Sequence, residues 1–172
     1  MGRGVWARRK KRNVAFYPHP FGPCAGLLRG CGEVDAEYVH YLSDRIIYAG
    51  GEALRTTVKV TRVSSFSDVM ESIAWNRVFG EDGPKKVCGL IFEREGLKPV
   101  VLVNYACHPV TLGRNHAISV DYPGRVVSTL NQAGYEAVFL NGFCGDIDPE
   151  LNKDDWGSGT EASINDYGRR IA

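Results

Sequence analysis

The sequence has no long hydrophobic run, no strong net charge and no C-x-x-C pair of cysteines. No apolar stretch approaches the roughly 18 residues that a membrane span needs, which argues against a transmembrane segment. The formal net charge is only +1, so no overall field favours nucleic acid or an anionic membrane as a partner. The one basic run, Arg8–Arg12, is typical of a solvated, disordered tail because lysines and arginines do not cluster elsewhere.

The five cysteines are odd in number and lack metal-site spacing, which argues against a disulfide framework and a structural zinc site. No apolar signal-peptide core follows the basic N-terminal residues, so we predict a cytoplasmic protein with reduced thiols. The length of 172 residues, without internal repeats or low-complexity linkers, is that of one globular domain.

Hydrophobic periodicity and turn signals predict helices and strands in a mixed order. Glu95-Gly96 is a turn signal that joins two of the strands into a hairpin. The order implies an α/β fold with a mixed β-sheet flanked by helices. The predicted helices are Val34–Leu54, Pro123–Gly134 and Ile164–Ala172, and the predicted strands are Thr56–Val63 (half-buried), Val87–Glu93, Val100–Ala106 and Ala137–Phe143.

Two segments place chemically useful side chains just after strands. His108 ends one strand, where a neutral imidazole can bind a metal, or simply cap the strand through a hydrogen bond. Asp146 and Asp148 lie in a glycine-containing loop after the next strand. Carboxylates placed there can bind a cation, orient a histidine or act as a general base; the alternative is an acidic turn that satisfies its own backbone.

Two further segments have simple structural interpretations when taken alone. Arg77, in the stretch 72–77, is by itself most simply a surface ion-pair residue. Asp121 precedes the predicted helix at Pro123 and is most simply its N-terminal cap.

Together and in this order, the four segments resemble the N-terminal domain of the neutral, non-lysosomal ceramidase family, over about residues 22–172. The resemblance implies hydrolysis of a linear N-acyl amide, with a small-molecule or lipid amide as substrate. It also implies a zinc ion held by two histidines, a glutamate and a tyrosine. His108 corresponds to one zinc-binding histidine, and Arg77 corresponds to an arginine near the substrate oxygens.

The sequence departs from the family pattern in the loop that carries the catalytic serine. Asp148 stands in place of that serine, so an alcohol nucleophile is absent there. The predicted catalytic residues are therefore Asp148, as a general base or a neighbour of the metal, with Arg77 and Asp146. The glutamate and tyrosine ligands of the family lie downstream of this sequence. We therefore predict a single truncated domain, inactive alone and without tightly bound zinc.

A second departure concerns the family's Thr-His-Thr-His-Ser motif, which supplies the other zinc-binding histidine. Here residues 17–21 read Tyr-Pro-His-Pro-Phe. The codons TAC CCA CAC CCA TTC encode these residues, and the same bases read one nucleotide later give Thr-His-Thr-His-Ser. One hypothesis is that residues 1–21 are an out-of-frame, disordered tail before a partial catalytic domain at 22–172. The alternative is ordinary divergence.

A second class of function remains open from the sequence. The chain would then keep the fold as a non-catalytic binding or interaction module. The sequence predicts neither the substrate nor the oligomeric state.

Overall fold

The computed structural model describes residues 36–113 and 119–172. The predicted tail at 1–21 therefore lies outside the described residues. The chain divides into two units between Gly51 and Glu52. Helix α1 (Ala36–Arg55) begins in the first unit and ends in the second, close to the predicted Val34–Leu54. Among the described residues, none of the helices combines the length and apolar character needed to cross a membrane.

A mixed four-stranded sheet forms the centre of the second unit, in the order β1-β4-β5-β6. The predicted hairpin is present: β4 and β5 pair antiparallel, and Gly96 adopts a positive φ of 67° in the turn. Strand β6 lies parallel to β5, and the connection between them contains α2, as a parallel crossover requires. The strands are β1 (Val60–Val69), β4 (Lys86–Arg94), β5 (Leu97–Tyr105) and β6 (Glu136–Asn141).

The hydrophobic core lies on one face of this sheet. Alternate residues of β5, from Val101 to Tyr105, are buried, as expected for a strand with one face covered. Helix α2 (Asp121–Gln132) packs against β6 and against α3 (Glu161–Ile171). The rings of Tyr122 and Phe139 meet edge to face with centroids 5.7 Å apart. The α/β prediction with a mixed sheet is confirmed.

A smaller, three-stranded sheet was not predicted. Its order is β3-β2-β7, formed by Glu81–Asp82, Ala74–Asn76 and Ile147–Pro149. The segments that the sequence analysis treated as isolated or as loop are therefore paired strands. In the antiparallel β2–β7 pair, Trp75 lies opposite Asp148.

The predicted strand at Thr56–Val63 is wrong in its limits and its burial. The strand begins at Val60 and extends to Val69, and its valines Val60 and Val63 are 43% and 55% exposed. The reason is topological: among the described strands, β1 lies at the edge of the sheet and pairs with β4 alone.

The predicted capping role of Asp121 is also wrong. Asp121 is the first residue of α2, with a positive φ of 49°, and Val120 occupies the capping position without a side-chain bond. The buried carboxylate of Asp121 instead accepts hydrogen bonds from the main-chain N–H groups of Leu112 and Tyr122. It therefore anchors the preceding loop to the helix start.

Candidate functional site

Polar side chains gather where β5 and β6 end and β7 begins. His108 follows β5, and Cys144 follows β6. The main-chain N–H of His108 donates to the carbonyl oxygen of Ile147 (2.9 Å), and the N–H of Ile147 donates to that of Cys144 (3.0 Å). Ile147 thus ties both residues to β7. Because parallel strands end at the same edge of a sheet, this is where side chains from several segments can meet.

Arg77 and Asp148 form an ion pair at this edge. Nη1 of Arg77 lies 3.3 Å from Oδ2 of Asp148, and Nη2 donates to the carbonyl oxygen of Gly145 (2.7 Å). The aspartate side chain is 5% exposed whereas the arginine is 46% exposed. The guanidinium therefore has one side held by the protein and another side open to solvent.

Oδ1 of Asp148 is buried and has no hydrogen-bond partner among the described residues. A buried polar atom without a partner carries a desolvation cost. Asp148 is therefore a position where a ligand that bonds to this oxygen would be stabilising.

Asp146 is oriented by Asn76, the residue next to Arg77. The amide nitrogen of Asn76 donates to Oδ2 of Asp146 (2.8 Å). The amide oxygen of Asn76 accepts from the main-chain N–H groups of Val78 and Phe79 (2.9 and 3.0 Å), which closes a turn after β2. The main-chain N–H of Arg77 also donates to the carbonyl oxygen of Asp146 (2.9 Å). The two segments are thus held together by both backbone and side-chain bonds.

Cys144 faces His108 from the end of the neighbouring strand. Its Sγ lies 3.6 Å from Nδ1 of His108. Burial raises the pKa of the Cys144 thiol, the negative charge of Asp148 raises it further, and Arg77 opposes the rise. Cys144 has no role in the sequence-based prediction, although it lies in the same loop as Asp146 and Asp148.

The amide of Asn141 lies against the same thiol. In one orientation its nitrogen donates to Sγ of Cys144 (3.0 Å) and lowers the pKa of the thiol. In the reverse orientation the nitrogen donates to the carbonyl oxygens of Cys107 and Tyr105 (2.9 and 3.1 Å). We take the reverse orientation because it satisfies two acceptors. The amide oxygen then faces the sulfur, and the lowering effect is lost.

Beneath the site, a tyrosine supports the loop that carries His108. The hydroxyl of Tyr122 donates to the carbonyl oxygen of Cys107 (2.6 Å), and both residues are fully buried. Burial raises the pKa of the Tyr122 hydroxyl and of the Cys107 thiol well above their ordinary values. Both groups are therefore neutral structural elements near neutral pH.

The structure brings together all four residues that the sequence analysis selected. Arg77 contacts Asp148, the backbone of Arg77 contacts Asp146, and His108 is bonded to the residue that precedes Asp148. Their catalytic and metal-binding roles remain predictions. Within residues 36–113 and 119–172, no group of three or more His, Cys, Asp or Glu side chains is arranged to hold a metal ion. These residues do not by themselves form the four-ligand zinc site that the resemblance implies.

The described elements define a mixed α/β fold of the ceramidase-like type. The crystal structure of neutral ceramidase from Pseudomonas aeruginosa matches it with a TM-score of 0.59 at 17% sequence identity. The match covers 74% of this chain and 24% of that chain, so the sequence spans about a quarter of the ceramidase's length. At this identity the match establishes similarity of fold alone. No family model matches the sequence, and none of the curated proteins matches it.

Proposed function

We propose that the chain is part of the catalytic domain of an amidase that hydrolyses linear N-acyl amides. One observation carries the proposal: Arg77, Asp146, Asp148 and His108 meet at one sheet edge within a ceramidase-like fold. Ceramidase-like chemistry makes a small-molecule or lipid amide the substrate class. Zinc as cofactor and His108 as one of its ligands are further parts of the proposal, and they rest on the resemblance.

Arg77 and Asp148 divide the chemistry between them in this proposal. The exposed side of the Arg77 guanidinium binds the amide carbonyl oxygen and stabilises the negative charge that develops there. Oδ1 of Asp148 takes a proton from the attacking water as the new C–O bond forms, and the proton then passes to the leaving nitrogen as the C–N bond breaks. The products are a carboxylate and an amine. Asp146 positions the segment that carries Arg77, through its bonds to Asn76 and to the backbone of Arg77.

The test is hydrolysis of ceramide and of a fluorescent N-acyl amide. It uses the 172-residue chain and any longer polypeptide that the same locus encodes. We expect no turnover by the chain alone and zinc-stimulated turnover by the longer protein. In the longer protein, Arg77→Lys should lower kcat/KM by roughly 100-fold or more, because a lysine cannot hold Asp148 and the substrate oxygen together. Asp148→Asn should lower kcat by roughly 100-fold.

Arg62→Ala serves as the matched control, since Arg62 makes an exposed ion pair with Glu93 away from the site. It should leave kcat/KM unchanged. A folded longer protein without turnover on any amide would contradict the amidase proposal and favour the binding-module alternative. Turnover by the 172-residue chain alone would show that the catalytic machinery is already complete.

A further inference from the structure

Cys144 and His108 form a pair of potential metal ligands outside the ligand set that the resemblance implies. They follow the neighbouring parallel strands β5 and β6, and both side chains are half-buried. Nδ1 is the imidazole nitrogen that faces the sulfur. The ligand set implied by the resemblance contains no cysteine.

The separation of the two donor atoms fits one bound ion. Zinc lies about 2.3 Å from a cysteine sulfur and about 2.0–2.1 Å from a histidine nitrogen, with tetrahedral geometry. Two such ligands on one ion are about 3.6 Å apart by triangle geometry. Sγ of Cys144 and Nδ1 of His108 are 3.6 Å apart. The observed separation is therefore that of two ligands on one zinc ion.

The backbone positions of both ligand residues are held before any ion binds. Ile147 bonds to both ligand residues, because its N–H donates to Cys144 and its carbonyl accepts from His108. Ligand pairs held by paired backbone need little reorganisation when they bind. The Asn141 amide lies against the sulfur.

The chemistry of the two donor atoms determines which ion they favour. Asp148 and Arg77 carry opposite charges that offset each other at 3.3 Å. Oδ1 of Asp148 is buried without a partner in the described part of the chain. A thiolate and an imidazole together prefer thiophilic or borderline ions such as Zn²⁺ and Co²⁺.

We propose that Cys144 and His108 bind a thiophilic or borderline divalent cation through Sγ and Nδ1, in an open site whose other positions are filled by water. The thiol proton passes to solvent as the metal–sulfur bond forms. This site does not depend on the chain being an amidase. If the chain does hold a catalytic zinc, Cys144 is an additional ligand to the ion that His108 holds.

Titration with Co²⁺ tests the proposal directly, with the complete chain under a phosphine reductant and without substrate. A thiolate ligand gives Co²⁺ a charge-transfer absorption in the near ultraviolet. We expect this band in the unaltered chain and its loss in Cys144→Ser. His108→Gln should weaken Co²⁺ binding by roughly tenfold or more, at least the loss that removing an outer-shell partner causes. Cys88→Ser, and a Cys24→Ser and Cys31→Ser double variant, should keep the band.

An absent band in the unaltered chain at millimolar Co²⁺, or a band that survives in Cys144→Ser, would overturn the proposal. If the variants fail the circular dichroism check for folding, alkylation of the unaltered chain decides. Zn²⁺ should slow iodoacetamide modification of Cys144, located by peptide mass, by roughly tenfold or more, since a metal-bound sulfur is a poorer nucleophile. Equal rates with and without Zn²⁺ count against the site.

Discussion

The ion pair between Arg77 and Asp148 is unequal in its exposure to solvent. Asp148 is almost completely buried, whereas Arg77 is nearly half exposed. When an ion pair is broken by substitution, the remaining charge determines the cost, because a buried charge without its partner is poorly solvated. The two partners should therefore respond differently to substitution.

We expect Arg77→Ala to lower the free energy of unfolding by about 2–3 kcal/mol, slightly below the range for fully buried pairs. The substitution leaves the Asp148 carboxylate buried without its cation and also removes the bond to the Gly145 carbonyl. Asp148→Asn should cost about 1 kcal/mol or less, because water can solvate the exposed guanidinium that remains. Urea denaturation of each variant at neutral pH measures both values.

The double variant Arg77→Ala with Asp148→Asn isolates the charge effect. It should be more stable than Arg77→Ala alone, since no buried charge remains. Arg62→Ala, at an ion pair in which both partners are exposed, should change stability by no more than about 0.5 kcal/mol. Equal losses for Arg77→Ala and Asp148→Asn would contradict the unequal role of the two residues.

At the scale of elements, local sequence predicted the longer helices and strands, apart from the limits and burial of β1. The hairpin of β4 and β5 carries a turn signal, and α2 has Pro123 near its first turn and Gly134 shortly after its last residue. The short strands β2 and β7 have three residues each, too few to show a period of two. Their pairing joins residues more than 70 positions apart, which no local pattern encodes.

The candidate site was predicted in part for the same reason. His108, Asp146 and Asp148 were selected because they follow strands, and Arg77 was selected through a family resemblance. The pairing of β2 with β7 brings Arg77 to Asp148, so their contact could not be predicted from spacing. Cys144 has no role in the sequence-based prediction. Only its distance to His108 distinguishes it.

The four-stranded sheet is closely packed around Gly89 of β4. A Cβ at this position would lie 1.9 Å from the carbonyl oxygen of Leu102 and about 2.5 Å from the ring of Phe66. Those atoms belong to the strands on either side, and the backbone oxygen cannot move without distorting the hairpin. We expect Gly89→Ala to lower the free energy of unfolding by about 3 kcal/mol, measured by urea denaturation.

Gly50→Ala in α1 is the matched control for Gly89→Ala. Apart from the neighbouring backbone of the helix itself, no atom in the described part of the chain lies within 4 Å of a Cβ at this position. Alanine is the better helix former by about 1 kcal/mol, so this variant should show unchanged or increased helicity by circular dichroism. A Gly89→Ala variant as stable as the parent chain would show that β4 is less constrained than the structure indicates.

At the scale of the whole molecule, the fold is preserved where the sequence is not. An identity of 17% with the neutral ceramidase accompanies a TM-score of 0.59. Buried positions on one face of the central strand and around Tyr122 account for much of this core. Such positions constrain volume and polarity more than residue identity, so sequence comparison loses a similarity that the fold retains.

The buried tyrosines of this core should make the stability of the fold fall in alkali. Burial raises the pKa of Tyr122 well above its ordinary value of 10.0, and it also raises the pKa of Tyr105. Below pH 10 both the folded and the unfolded chain keep these protons, so the contribution to stability is constant. Above pH 10 the unfolded chain releases them while the folded chain does not. Each group should then lower the free energy of unfolding by about 1.4 kcal/mol per pH unit.

Tyr122→Phe separates this effect from the other groups that titrate in alkali. The variant loses the hydroxyl that bonds to the Cys107 carbonyl, so its stability at neutral pH should fall by about 1 kcal/mol. Its slope above pH 10 should be less steep than that of the parent chain by about 1.4 kcal/mol per pH unit. Tyr41→Phe, which alters an exposed side chain, should keep the parent slope. Urea denaturation between pH 8 and 11 gives both slopes, and identical slopes for Tyr122→Phe and the parent would mean that Tyr122 is not held neutral by the folded core.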